Sequence, residues 1–206
     1  MHIYAFGSVC RGEIELDSDI DLLALVEKRD PRLSAEKFSI YTYEKVRHLW
    51  DEGNAFAWHL AKERSLVYSE DNSDFLTDLG MPMPYKHANR DSERLVQIFK
   101  ESARQLEAGS CNIVFELSTM FLSVRNLATC YSLSMLDKPI FSRDSPLRIG
   151  DKSIDLTPEC FEVLLRCRIL STRGYGYDID PVDVEMVHRE LPQIHGWVAK
   201  LSREIG

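Results

Sequence analysis

Two pairs of residues near the N-terminus combine types and spacing that could do chemistry: Gly7-Ser8 and, ten residues further on, Asp19-x-Asp21. Strand side chains alternate between faces, so Asp19 and Asp21 would share one face, with about 7 Å between their Cα atoms. Ile20, Leu22, Leu23, Leu25 and Val26 around them argue for a buried strand rather than a solvated edge. Two carboxylates on such a strand repel each other unless a cation lies between them. An all-oxygen pair suits hard Mg2+ or Mn2+, and two such ions about 4 Å apart can hold the attacking and leaving oxygens of an in-line phosphoryl displacement. Gly7-Ser8 supplies the complementary part. Glycine admits a phosphate closely, and backbone N–H groups at a strand end favour negative charge. Arg11, followed by Gly12, adds a cation beside the same place. Gly7, Ser8 and Arg11 are therefore expected on phosphates, and Asp19 and Asp21 on metal. Taken singly, Gly-Ser is an ordinary turn and Asp-x-Asp an ordinary surface pair; it is their joint spacing and strand contexts that argue for function.

The elements that must position these residues are short. Residues 2–6 read as a strand ending at Gly7-Ser8, residues 19–26 as the buried strand, 38–42 as a third and 66–68 as a fourth. Residues 44–51 and 56–62 read as helices, the first stopped by Gly53-Asn54. Gly80-Met-Pro-Met-Pro84 cannot propagate a helix and reads as a linker. Beyond it four helices are expected: from a cap at Asp91-Ser92 to Gly109, over 113–136, from Thr157-Pro158 to about Leu170, and from Asp180-Pro181 towards Ile205 with Pro192 as a kink or break. Residues 139–155 read as a polar surface loop. The expected fold class is α+β, with a small mixed sheet and flanking helices over residues 1–85 and an α-helical bundle over 86–206.

Composition bounds the function. The 206 residues are 44% hydrophobic and 28% charged, which is globular rather than disordered, and carry a net charge of −8. Residues 1–85 hold 16 acidic against 9 basic side chains, and the rest 17 against 16. So acidic a first half lacks the basic footprint of an extended nucleic-acid groove. The five cysteines form no Cys-x-x-Cys pair, so neither a disulfide framework nor a zinc site is implied. No charged leader and no continuous apolar run of membrane-spanning length is evident, so a cytoplasmic protein without a membrane partner is expected.

The stretch resembles the minimal nucleotidyltransferases of the DNA polymerase β superfamily, whose signature is Gly-Ser, ten residues, Asp-x-Asp. Gly7, Ser8, Arg11, Gly12, Ser18, Asp19, Ile20, Asp21 and Leu22 match that pattern. An α/β unit followed by helices also resembles kanamycin-type nucleotidyltransferases and fusions to HEPN-like helical domains. The resemblance implies Mg2+-assisted transfer of a nucleoside monophosphate from an NTP, with ATP the expected one, to a hydroxyl of a small molecule or protein, with loss of pyrophosphate. A homodimer is left open. One of its departures from the family bears on the chemistry: the family usually carries a third carboxylate on the next strand, where this chain has Ser39. Glu63 is the nearest substitute as a catalytic acid or base, with a solvated, paired helix glutamate as the competing reading. A regulatory or antitoxin-like nucleotide-binding protein that has lost catalysis is the alternative.

The helical half carries weaker signals. HEPN ribonucleases place a histidine a few residues after arginine; Arg125 is followed there by Cys130, Tyr131 and Ser132, which disfavours that activity. Arg166, Arg168 and Arg173 read first as cations near a helix C-terminus and second as phosphate contacts. His59 and His188 lack partners at metal-ligand spacing and read as ordinary, partly buried histidines.

Overall fold

A computed structural model describes residues 1–13, 20–28 and 30–206. Asp19 and Ser18, both part of the motif, lie outside the described residues. The chain divides into two compact units, Met1–Lys86 and His87–Gly206.

In the first unit, β1 (His2–Phe6) alternates buried and half-buried residues, turning His2, Tyr4 and Phe6 inward. β2 (Asp21–Val26) runs antiparallel to β1, and β3 (Ser39–Thr42) runs parallel to β2. β4 (Arg64–Ser69) pairs antiparallel with the other edge of β1, with an irregularity at Ile3/Tyr4. The order is therefore β3-β2-β1-β4, a mixed sheet with β1 inside. β2 starts at Asp21 and Ile20 is 59% exposed, so the buried part of the run is shorter than its apolar composition suggests. Helices α1 (Tyr43–Asp51) and α2 (Ala55–Lys62) open on side-chain caps: Thr42 accepts from Lys45 N, and Asn54 from Phe56 N. Their Val46, Leu49, Trp50, Ala57 and Leu60 pack on Tyr4, Phe6, Leu23 and Leu25 of the sheet. A short α3 (Phe75–Asp78) adds Leu76 to that core. The proline-rich segment after it is pinned in place: Trp50 Nε1 donates to Gly80 O, and Trp58 Nε1 to Met83 O, both at 3.0 Å.

The second unit holds α4 (Ala88–Glu107), α5 (Ile113–Met135), α6 (Pro158–Arg173) and α7 (Pro181–Ile205). Helix α4 packs on α5 and α7, and α5 on α6, around Phe99, Leu117, Met120, Leu127, Leu164 and Ile194. Although no continuous apolar run is present, α5 is by length and composition apolar enough to cross a membrane; here it is the bundle's central, largely buried helix. Three expectations change. Helix α4 starts a turn earlier than Asp91-Ser92, at Ala88, and Ser92 is buried with its hydroxyl 2.9 Å from that of Ser202. Helix α7 continues through Pro192, so of the kink or break expected there the break does not occur. The 139–155 segment is not a detached surface loop, because Phe141, Ile149 and Ile154 are buried. Arg125 of α5 donates to the carbonyls of Phe141 and Ser142, and Ser132 Oγ receives Ile140 N–H at 2.9 Å, so this helix organises the segment.

Candidate active site

The site is built at the end of β1. Phe6 faces Asp21 across the β1–β2 ladder and Arg64 across the β1–β4 ladder. One residue further, Gly7 N–H donates to Glu63 O at 3.1 Å. The chain therefore leaves the sheet at Gly7 with an acid on each flank, Asp21 from β2 and Glu63 from the α2–β4 junction. Gly7 takes φ +76, a left-handed conformation that suits glycine. A Cβ there would stand 3.1 Å from Asp21 Oδ2 and 3.9 Å from His59 Cε1. Asp21 and His59 thus lean over the space that glycine leaves open.

From Gly7 the chain makes a 3₁₀ turn through Arg11, closed by Gly12 in the left-handed conformation, with Glu13 N–H bonded to Ser8 O at 3.1 Å. Three residues make one 3₁₀ turn, so Ser8 and Arg11 lie on the same side. The Arg11 guanidinium donates Nη1 to Glu63 Oε2, and Nε (2.9 Å) and Nη2 (2.8 Å) to Glu13 Oε2. Burial alone would lower the pKa of Arg11, but the two carboxylates outweigh it and the pKa is raised. Burial and the Glu63 charge push the neighbouring Cys10 thiol up.

His59 is partly buried as the sequence suggests, but it also belongs to this cluster. Its Nε2 lies 3.0 Å from Glu63 Oε2, and its ring meets Phe6 at 5.8 Å and Phe56 at 6.4 Å. The i,i+4 spacing of His59 and Glu63 on a helical segment was the signal available for it. Glu63 is not the solvated helix glutamate of the competing reading, since its side chain is 13% exposed and engaged on two sides. Ser39 begins β3 opposite Leu23, and residues two apart or directly paired share a face, so Ser39 stands on the face of Asp21 without offering a carboxylate.

Among the described residues no group of three or more His, Cys, Asp or Glu is arranged to hold a metal. Asp21, exposed at the head of β2, is the described motif carboxylate. In the helical unit, Arg166 is paired with Asp183 at the start of α7, and Arg125 is taken up by backbone carbonyls.

The described part of the site is thus a glycine-led turn with a serine and an arginine on one side, set against an aspartate at the head of a neighbouring strand. Residues 2–81 match the nucleotidyltransferase domain family model. The matched stretch takes in the whole sheet, α1 to α3 and every residue of the site. Over its full length the chain is also similar to spectinomycin adenyltransferase AAD(9) from Enterococcus faecialis, solved with ATP and spectinomycin. The identity is 14%, the TM-score is 0.48, and the match covers 100% of this chain and 91% of that one. No curated protein matches the sequence.

Proposed function

We propose that the chain transfers a nucleoside monophosphate from an NTP to a hydroxyl of a small molecule or protein, releasing pyrophosphate. The observation carrying this reading is the end of β1, where Gly7, with no side chain of its own, lies beside the Asp21 carboxylate within the stretch that matches the nucleotidyltransferase domain model. Gly7 and Ser8 would take the triphosphate through backbone N–H groups and the serine hydroxyl, with Arg11 on the same side of the turn. Asp21, together with Asp19, would hold Mg2+, for which hard carboxylate oxygens are the fitting donors. The ion would offset the charge that builds on the phosphoryl oxygens. Glu63 either takes the proton of the acceptor hydroxyl or orients Arg11, and its two partners favour the second role.

A second reading, nucleotide binding without turnover, is favoured by Ser39 on the face where the family places its third acid. The experiment is incubation of the full chain with each α-labelled NTP, Mg2+ and a panel of hydroxyl acceptors, with detection of pyrophosphate and labelled product. Transfer that disappears in an Asp19→Asn, Asp21→Asn double variant supports the first reading. Transfer that persists in that variant overturns it, and binding without turnover favours the second.

A further inference from the structure

The Arg11 guanidinium is shared by two carboxylates of unequal burial. Glu63 takes Nη1; its side chain is 13% exposed and is held from α2 by His59 Nε2 at 3.0 Å. Glu13 takes Nε and Nη2 through a single oxygen and is 43% exposed. The Nε/Nη2 edge is a fork suited to two-pronged recognition of carboxylate or phosphate. A buried carboxylate cannot leave its cation without stranding a charge, whereas an exposed partner exchanges at little cost. The three side chains together carry one excess negative charge, so in this arrangement Arg11 is neutralised on the very turn where the phosphates are expected.

We propose that Glu63 is the positioning residue of Arg11, fixing its guanidinium against α2, and that Glu13 occupies the guanidinium edge that a substrate phosphate takes. The proposal rests on the nucleotide reading above. Substrate binding then exchanges one oxyanion for another. Phosphoryl oxygens accept from Nε and Nη2, the Glu13 carboxylate passes into solvent, and Nη1 stays on Glu63. Glu13 acts as a tethered competitor, and Glu63 keeps the arginine aimed throughout.

The two acids predict opposite signs. Removing a negative charge near an anion site ordinarily tightens anion binding; that is expected of Glu13→Gln but not of Glu63→Gln, which frees Arg11 from its anchor. Dissociation constants of the four ribonucleoside triphosphates with Mg2+, and of inorganic tripolyphosphate, would be measured by calorimetry on full-length wild type, E13Q, E13D and E63Q, alongside KM and kcat. E13Q and E13D should both tighten binding several-fold, because the shorter aspartate keeps the charge but loses the contact. E63Q should weaken binding about tenfold, the scale of one lost charge-assisted contact, with the change larger in KM than in kcat. Tighter binding in E63Q, a loss confined to kcat, or E13D behaving as wild type would each overturn the proposal. So would a wild type that binds none of the probes, which also removes the nucleotide reading. The expected affinity pattern without turnover would sink only the transfer reaction, and turnover without the pattern only this proposal.

Discussion

At Gly7 the backbone conformation and the neighbouring side chains constrain the same atom. Alanine there would hold φ +76 against its preference, at a cost of about 1–2 kcal/mol, and would set a methyl 3.1 Å from Asp21 Oδ2. Gly12 has φ +73 with nothing within 4 Å of the added carbon, so G12A carries the strain without the clash. Both variants should lose thermal stability, G7A the more, but G7A alone should lose Mg2+-dependent nucleotide binding; equal binding in the two would show that Asp21 does not need the space. Asp74 offers a second residue-scale test. Burial pushes its pKa up, but hydrogen bonds from Thr77 N–H and Oγ1–H and from the Tyr4 hydroxyl outweigh that and hold it below the ordinary value. A depressed carboxylate contributes stability above its unfolded pKa of about 4, and that contribution is lost as pH falls through the folded value. Asp74→Asn should therefore lower Tm at pH 7, and the gap from wild type should close as the pH drops below about 4. Tyr4, whose own pKa is raised chiefly by burial, stays a donor across the range. A Tm gap independent of pH would mean that the carboxylate charge plays no part.

Among the helices, starts that rest on a local side-chain cap were legible, and those that rest on distant contacts were not. Thr157 accepts from Cys160 N, and Asp180 from Val182 N and Asp183 N, so both caps could be read from neighbouring residues. Asp91-Ser92 carries the same signal, yet α4 begins at Ala88 with no side-chain cap, and Ser92 is spent on Ser202 far along the chain. Residues 139–155 misled for the same reason, since the hydrogen bonds from Arg125 and Ser132 that pull Phe141 and its neighbours inward span many residues. In the site, Gly7, Ser8, Arg11 and Asp21 could be picked out by spacing, while the Arg11–Glu63–His59 chain exists only because β4 pairs beside β1. The Asp180 cap is also a test at this scale. Asp180 and Asp183 cap each other reciprocally, and Asp183 in addition takes Arg166 of α6. Asp180→Ala should cost about 1 kcal/mol, as ordinary cap removal does. Asp183→Ala should cost more, because it also strands Arg166, whose Nε is buried without a partner. Denaturant midpoints for the two variants measure this, and equal losses would show that the α6–α7 pair contributes nothing.

The charge of the whole molecule would act with opposite sign on a nucleotide and on a cationic acceptor. The net charge is −8, and residues 1–85 hold 16 acidic against 9 basic side chains. Such a field repels an incoming polyphosphate and attracts a cationic acceptor, such as an aminoglycoside, at distances beyond any single contact. Salt shortens that reach, to about 10 Å at 0.1 M. Raising the ionic strength at constant Mg2+ should therefore raise kcat/KM for the nucleotide modestly, because repulsion is screened. The same change should lower kcat/KM for a polycationic acceptor several-fold, because attraction is screened. A neutral polyol acceptor lacks the second effect, so the ratio of cationic to neutral acceptor efficiency isolates it from any general influence of salt on folding or on the ion. If that ratio stays constant from low to high salt, the acidity of the first half is a solubility feature and selects no cationic acceptor, while the proposed phosphoryl transfer, which rests on Gly7 and Asp21, is untouched.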